Sequence, residues 1–301
     1  MLVDVPFRPL HRTGKKCYDD KTVGKSGKKR NRSMEQRWKD HATGLKTKDL
    51  ITFRRVDASG ESEVREEEII CEKEMEVSVN GRPAFRLTCT PEHLKELVLG
   101  RLMTEGLIRS ISEVEHLFIC GEGNIGEVRI SGDPVLRPYG GAEPTCCTGN
   151  LQLTEREDRR EPERLAKVDP DMKEVFRLAE HFRKDGELHR STGGTHSCYI
   201  RLPEGDILSF EDIGRHNALD KAVGAMLIRE AEPGKCMLFT TGRVAADMVM
   251  KTVNAGIPVL VSKAVPTDRA VRLAGRYGLT LIFRAWPDSF CLADHVSEPS
   301  E

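Results

Sequence analysis

The stretch Glu211-Asp212-Ile213-Gly214-Arg215-His216-Asn217-Ala218-Leu219-Asp220-Lys221 gathers acid, glycine, arginine, histidine and amide side chains in a short piece of chain. An apolar run at 206–210 precedes it, and Leu219, Ala222, Val223, Met226 and Leu227 follow on one helical stripe. The polar residues therefore fall where a strand turns into a helix. Such a corner exposes backbone N–H groups that lack intrahelical partners, and a glycine there lets a ligand come close to the main chain. A second corner of the same kind follows at Phe239-Thr240-Thr241-Gly242-Arg243-Val244. Two such corners in one α/β unit point to a site for an anionic, phosphate-bearing ligand.

Each corner also has a plainer reading. At Thr241-Gly242-Arg243 the arginine is a forked donor suited to phosphate or carboxylate, yet the segment is neither a Walker loop nor a full GxGxxG fingerprint. It could equally be an ordinary turn with an exposed arginine. His216 could border the core side of its helix, and Asp212 could serve only as an N-cap. Thr192-Gly193-Gly194-Thr195-His196 offers an unusual backbone path, two hydroxyls and an imidazole, or a simple loop between a helix and a strand.

Cys146-Cys147 is the reactive-looking pair among nine cysteines. A thiolate is the nucleophile of thiol chemistry, and a loop position lets it reach more than one partner. Neighbouring cysteines rarely bridge each other, because their Cβ atoms project apart. No CxxC partner motif would complete a metal site, and the zinc deaminase pattern is missing. Cys71, Cys89, Cys120, Cys198 and Cys236 sit in or beside apolar strands and read as core or incidental thiols.

The elements that must hold these residues alternate. Strands are predicted at 50–56 and 66–79, with Asn80-Gly81 as a tight hairpin turn before 84–87. Thr90-Pro91 predicts a helix start, threonine as N-cap and proline at N1, with Leu94, Leu97, Val98 and Leu102 inward and Gly106 as its end. Short strands follow at 117–120 and 128–130, then a loop at 138–150 carrying the cysteine pair. Residues 155–164 hold nine charged side chains in ten and read as a solvated connector. Asp169-Pro170 predicts the cap of a helix with Met172, Val175, Phe176, Ala179 and Phe182 inward. Strands at 198–202 and 207–210, a helix at 215–229, a strand at 236–240, a helix at 243–255, a strand at 258–262, a helix at 268–277 and a strand at 279–283 complete the chain. This order predicts βαβ units around a largely parallel sheet with helices on its faces. Ligands bind such sheets beyond the carboxyl ends of the strands, where Gly214 and Gly242 fall.

Composition sets the frame. The chain has 301 residues, 32% charged and 38% hydrophobic, enough for one large or two modest soluble domains. No apolar run approaches the roughly 20 residues that span a bilayer. With no secretory signal pattern, the expectation is a cytoplasmic protein with reduced thiols. Residues 1–50 hold 14 Lys and Arg against 6 Asp and Glu, so the rest carries the acidic excess behind a net charge of −1. Residues 1–47 are expected to be a basic disordered tail, or an extended start with Met34 as an alternative initiator. The acidic body argues against nucleic-acid binding. The expected division is 1–47 tail, 48–150 β-hairpin and helix part ending in the cysteine loop, 151–168 linker, 169–285 α/β ligand-binding part and 286–301 tail. The fold class is α/β, with a smaller β-rich α+β part ahead of the main α/β domain.

Taken in order, Thr90-Pro91-Glu92 through Gly100 to Thr104-Glu105-Gly106, Thr192-Gly193-Gly194-Thr195-His196, the 211–221 motif, Thr241-Gly242-Arg243 and Ala255-Gly256-Ile257-Pro258 resemble the FdhD family, accessory proteins for formate dehydrogenase. The resemblance runs from about residue 48 to about residue 285. It implies a sulfurtransferase that accepts persulfide sulfur from a cysteine desulfurase. The sulfur would pass to the molybdenum (or tungsten) bis-guanine-dinucleotide cofactor, bound as a substrate, for formate dehydrogenase or another molybdo- or tungsto-enzyme. It also implies a three-layer, cytidine-deaminase-like fold without the deaminase's zinc, a homodimer, and Phe239 to Val244 as the cofactor-binding segment. Gly214, Arg215, His216, Thr195 and His196 would border the same ligand. One departure stands out. The family's Cys-Gly-x-Cys-Gly loop is Thr145-Cys146-Cys147-Thr148-Gly149-Asn150 here. Anchoring on Thr145 and anchoring without it give Cys147 and Cys146, respectively, as the persulfide carrier.

Overall fold

A computed structural model describes residues 38–132, 134–140, 149–158 and 161–293. It opens with β1 (Trp38–Asp40) and a ribbon of β2 (Lys48–Val56) and β3 (Ser62–Ile70), after which come β4 (Lys73–Val79) and β5 (Arg82–Cys89). Asn80 and Gly81 have φ of 48° and 77°, as the tight hairpin turn requires. The single run expected over 66–79 breaks at Cys71-Glu72, and β3 and β4 enter different sheets. Trp38, within the stretch expected to be tail, is 9% exposed, and β1 pairs parallel with β6 (Val114–Ile119).

Helix α1 (Leu94–Thr104) starts three residues later than Thr90-Pro91 predicts. Its N-cap is His93, with φ 54°, because Thr90 is engaged elsewhere: its hydroxyl accepts from Ile213 N–H and its own N–H donates to Asp212. Strands β7 (Ile125–Ile130), β8 (Leu136–Pro138), β9 (Leu151–Gln152) and β10 (Thr154–Arg156) follow. The first sheet has the order β1-β6-β7-β4-β5-β9, and β8 pairs with β10. The start of the expected connector is thus strand, and Arg156 reaches Glu113 at 3.2 Å.

In the second half, α2 (Met172–Phe182) is capped by Asp171, whose carboxylate accepts from Lys173 N–H, two residues past the predicted cap. Val175, Leu178, Ala179 and Phe182 face inward, whereas Met172, expected among them, is 42% exposed. Next come α3 (Glu187–Thr192), β11 (His196–Arg201), β12 (Ile207–Asp212), α4 (Arg215–Ile228), β13 (Met237–Thr240), α5 (Ala246–Asn254), β14 (Val259–Ser262), α6 (Asp268–Tyr277), β15 (Thr280–Phe283) and β16 (Cys291–Leu292). The second sheet has the order β12-β11-β13-β14-β15-β16. It is mixed rather than largely parallel: only β13-β14 and β14-β15 are parallel, because β11 and β12 form a hairpin joined by a short turn.

Alternation along the strands builds layers on both faces of that sheet. Ile200, Leu238, Leu260 and Leu281 pack with α4, α5 and α6, while Tyr199, Phe239, Val261 and Ile282 pack with α2. Phe182 and Phe239 stack with ring centroids 3.7 Å apart. Each such side chain, fully buried, contributes roughly 1.5–3 kcal/mol of transfer free energy.

Helix α4 is buried on nearly every side because α1 covers the face away from the sheet. Two glycines permit the contact. A Cβ on Gly100 would lie 1.7 Å from the Asp220 carbonyl oxygen, and one on Gly224 would lie 1.9 Å from that of Glu96. Beside this crossing, Lys251 Nζ bridges Asp220 (3.0 Å) and Glu105 (2.7 Å), Arg101 also pairs with both, and Thr104 Oγ1 donates to Asp220 (2.7 Å). Two cations meet two carboxylates, so the buried charge balances and the network ties α1, α4 and α5 together. No helix among the described residues is long and apolar enough to cross a membrane.

Candidate functional site

The first corner forms as its residues predict: β12 ends at Asp212, Gly214 is the N-cap, and α4 begins at Arg215. Asp212 is fully buried and holds the corner shut. Its carboxylate pairs with Lys221 Nζ at 2.7 Å and accepts from Thr90 N–H, Gly214 N–H and Asn217 Nδ2 at 2.9–3.0 Å. Lys221 also donates to the carbonyls of Glu211 and Thr90. Asp212 is thus more than an N-cap; it is the hub that joins the two sheets at this point.

Glu211 supports the neighbouring turn. Its carboxylate accepts from Leu188 N–H, His189 N–H and Thr195 Oγ1, each at 2.9 Å, so it caps α3 and fixes the 192–196 segment. His189 Nδ1 lies 2.7 Å from the Thr195 carbonyl. Thr195 therefore spends its hydroxyl inside the protein. His196, half-buried and opposite Asp212 in register, is the group of that segment nearest the corner. Burial, then the positive charges of Arg215, His189 and His216, push its pKa below the usual histidine value, against a smaller pull from Asp212.

The second corner differs from expectation. Helix α5 begins at Ala246, not Arg243, so Gly242 and Arg243 lie in a turn rather than at a helix N-terminus. The cause is a bridge between Val244 and Pro266, with Val244 N–H donating to the Val265 carbonyl, which keeps the chain extended after Arg243. Gly242 is required by Arg215: a Cβ there would come within 3.0 Å of Arg215 Cβ and 3.2 Å of Cδ. Thr240 Oγ1 accepts from Gly242 N–H, Thr241 Oγ1 from Ser197 N–H, and Ser262 Oγ donates to the Gly242 carbonyl. Phe239, Thr240 and Val244 are buried and hold this turn in place; Arg243 is exposed.

Two residues that the motifs did not single out matter here. Asp247 Oδ2 lies 2.8 Å from His216 Nε2, which fixes the imidazole at the base of the site. Burial raises the Asp247 carboxyl, but the His216 hydrogen bond and charge, Met248 N–H and Arg215 outweigh it and bring the pKa to about 2. Asn150 is the other. It is 2% exposed, accepts from Thr88 N–H at 2.8 Å and donates to Asn217 Oδ1, while Asn217 also donates to the Thr88 carbonyl. No motif spacing marks either one; both are found only when distant segments meet.

Cys146 and Cys147 lie outside the described residues. Burial pushes the thiols of Cys89 and Cys236 up to about 12 and raises that of Cys198, so these three stay protonated and inert near neutrality.

The carboxyl ends of β12 and β13, the start of α4 and the 192–196 turn thus converge on one corner where Arg215 supplies fixed positive charge beside the imidazoles of His216, His196 and His189, with Arg243 in the adjoining turn. A mixed α/β protein with a positively charged, motif-built corner at the strand ends is the class defined. The sequence profile of the FdhD/NarQ family matches residues 70–296, and the chain belongs to that family. It is 30% identical over 236 residues to the sulfur carrier protein FdhD of Geobacillus kaustophilus, covering 77% of this chain and 90% of that one. To the sulfur carrier protein FdhD of Methanothermobacter thermautotrophicus it is 31% identical over 241 residues, covering 77% and 93%. A crystal structure of a protein described as a formate dehydrogenase accessory protein, from Desulfotalea psychrophila, shares the fold with a TM-score of 0.68. Identity there is 23%, covering 83% of this chain and 97% of that one.

Proposed function

We propose that this chain is a cytoplasmic sulfur carrier that takes persulfide sulfur from a cysteine desulfurase onto Cys147, or onto its neighbour Cys146. It delivers that sulfur to the molybdenum or tungsten bis-guanine-dinucleotide cofactor during maturation of formate dehydrogenase, and works as a homodimer. One observation carries the proposal: Asn150, three residues past Cys147, is buried and hydrogen-bonded to Asn217 in the first turn of α4. That contact fixes Asn150, in the sequence stretch just after the cysteine pair, against the first turn of α4.

The residues suit a phosphate-bearing substrate. Arg215 brings a forked donor, α4 is long enough to place partial positive charge at its first amides, and Arg243 extends the cationic surface toward solvent. Asp247 orients His216, and Glu211 holds the turn that presents His196. In the loading step the thiolate attacks the outer sulfur of the donor's persulfide. A new S–S bond forms as the donor's breaks, and the donor cysteine leaves as a thiolate, so no outside oxidant is needed. A persulfide is more acidic than a thiol, and the cationic corner keeps it ionised and transferable.

Intact-mass spectrometry after incubation with a cysteine desulfurase and cysteine tests the proposal, comparing wild type with Cys146→Ala and Cys147→Ala. A gain of one sulfur that vanishes in Cys147→Ala is expected. Loss only in Cys146→Ala moves the carrier one residue. A gain that survives the double substitution, or no gain with an active donor, rejects sulfur carriage and leaves a protein that only binds and hands over the cofactor.

A further inference from the structure

Among the described residues, Trp286 is an exposed aromatic side chain that the core does not account for. The chain has two tryptophans. Trp38 is buried in the first sheet, whereas Trp286, just past β15, is 43% exposed. A single exposed apolar side chain is ordinary, but this one is held in place. Arg284 takes φ 49°, a left-handed conformation that a residue with a side chain keeps only when its surroundings impose it. The bend is pinned to the end of β14: Arg284 N–H donates to the Ala264 carbonyl and Ala285 N–H to the Ser262 carbonyl, both at 3.0 Å. Trp286 N–H then closes a tight turn on the Ser289 carbonyl at 2.8 Å. Lys263 Nζ lies 5.0 Å from the centre of the indole ring and 3.2 Å from Asp185 Oδ1, so the ring is braced by a cation that is itself anchored.

The place of the ring matters more than its exposure. Strands β13, β14 and β15 run parallel, so their carboxyl ends lie along one border of the second sheet. Open α/β sheets bind their ligands outside that border. Ser262, the last residue of β14, touches both neighbours: its hydroxyl donates to the Gly242 carbonyl at 2.9 Å, and its own carbonyl receives Ala285 N–H. The turn at Gly242-Arg243 and the segment that carries the indole are thus joined through one residue. Neighbouring strands are about 4.8 Å apart, which sets the ends of β13 and β15 about 10 Å from each other. A ribose and its phosphate ester bridge a gap of that order.

We propose that Trp286 is the base-stacking residue of a nucleotide subsite. A purine base lies on the indole face not held by Lys263, while the phosphates of the same nucleotide sit at Arg215 and the Gly242-Arg243 turn. This rests on the reading of the substrate as a guanine dinucleotide, and adds which residue holds its base. Stacking on an aromatic ring gives affinity without reading the base edge, because every base has a π-face. Bracing by Lys263 and the 286–289 turn fixes the ring beforehand, so little side-chain freedom is lost when the base arrives.

The test uses the full chain with GDP, guanosine and inorganic pyrophosphate as probes. By titration calorimetry, Trp286→Ala should weaken GDP at least about five-fold and leave pyrophosphate within about two-fold of wild type. Trp286→Phe keeps a ring and should hold GDP within about three-fold. Fluorescence reads the contact directly. GDP and guanosine should quench wild-type emission and pyrophosphate should not, and the quenching should vanish in Trp286→Phe, where only the buried Trp38 emits. If Trp286→Ala disturbs the 284–289 turn, the Trp286→Phe comparison decides. GDP affinity unchanged in Trp286→Ala, or GDP bound without quenching, overturns the proposal. A wild type that binds pyrophosphate but not GDP also overturns it, and leaves the phosphate corner standing. A wild type that binds neither removes the corner as well, while sulfur loading read by intact mass still tests the carrier function by itself.

Discussion

At the scale of single residues, the site depends on charges fixed by partners far away in sequence. His216 was visible in its motif, but its partner Asp247 was not, because that contact arises from a turn beginning α5 after an extended bridge. The pair makes a stability contribution with a definite pH range. Asp247 has a folded pKa of about 2 against an ordinary value of 3.8, so the folded state binds fewer protons than the unfolded one between those values. Its contribution, on the order of 1–2 kcal/mol, is therefore complete above about pH 5 and falls away as pH drops toward 2. Urea unfolding of wild type and Asp247→Asn should differ by that amount at pH 7, and the gap should shrink by about half between pH 5 and pH 3. A gap that stays constant over that interval would mean that Asp247 acts through packing, not charge.

Among elements, the crossing of α1 and α4 governs the site's rigidity, since α4 carries Arg215, His216 and Asn217. Gly100 and Gly224 each face the other helix's main chain at a distance where no Cβ fits. Gly100→Ala or Gly224→Ala must push the helices apart and disturb the network of Asp220, Lys251 and Arg101. Each should cost at least about 3 kcal/mol, the upper range for overpacking, since backbone cannot step aside as a side chain can. Gly234→Ala, with open space around it, should change the denaturant midpoint by less than about 0.5 kcal/mol equivalent. Equal midpoints for all three would show that the helices adjust freely. The sequence predicted both helices, because Leu94, Leu97, Val98 and Leu102 repeat at helical spacing, as do Leu219, Ala222, Val223 and Met226. It misplaced the start of α1, since Thr90-Pro91 has the chemistry of a helix cap while its hydroxyl and N–H are drawn instead to Ile213 and Asp212. The same limit explains the corner at Gly242: local spacing marked a strand end and a glycine, but the glycine serves Arg215, which only the fold brings there. The mixed second sheet was missed because apolar strand runs do not encode their direction.

Over the whole molecule, the two sheets are not separate bodies joined by a hinge. One apolar cluster runs from Trp38 through Leu87, Leu97, Leu219 and Val249 to Leu281, and α1 lies against α4 within it. The buried polar contacts cross the same boundary: Asp212 with Thr90, Asn217 with Thr88 and Asn150, and Asp220 with Arg101 and Thr104. Unfolding the first half would strip α4 of its cover and take from Asp212 the Thr90 N–H and from Asp220 the Arg101 and Thr104 contacts, leaving both buried carboxylates with fewer partners. Scanning calorimetry should therefore give one transition, with calorimetric and van't Hoff enthalpies in agreement. Asp212→Asn should lower that transition as a whole, because Asp212 ties Thr90 of the first half to Lys221 of the second. Two resolved transitions, or an Asp212→Asn protein in which only part of the enthalpy moves, would show that the halves fold on their own. The contact of Asn150 with Asn217 would then last only while the two halves stay docked.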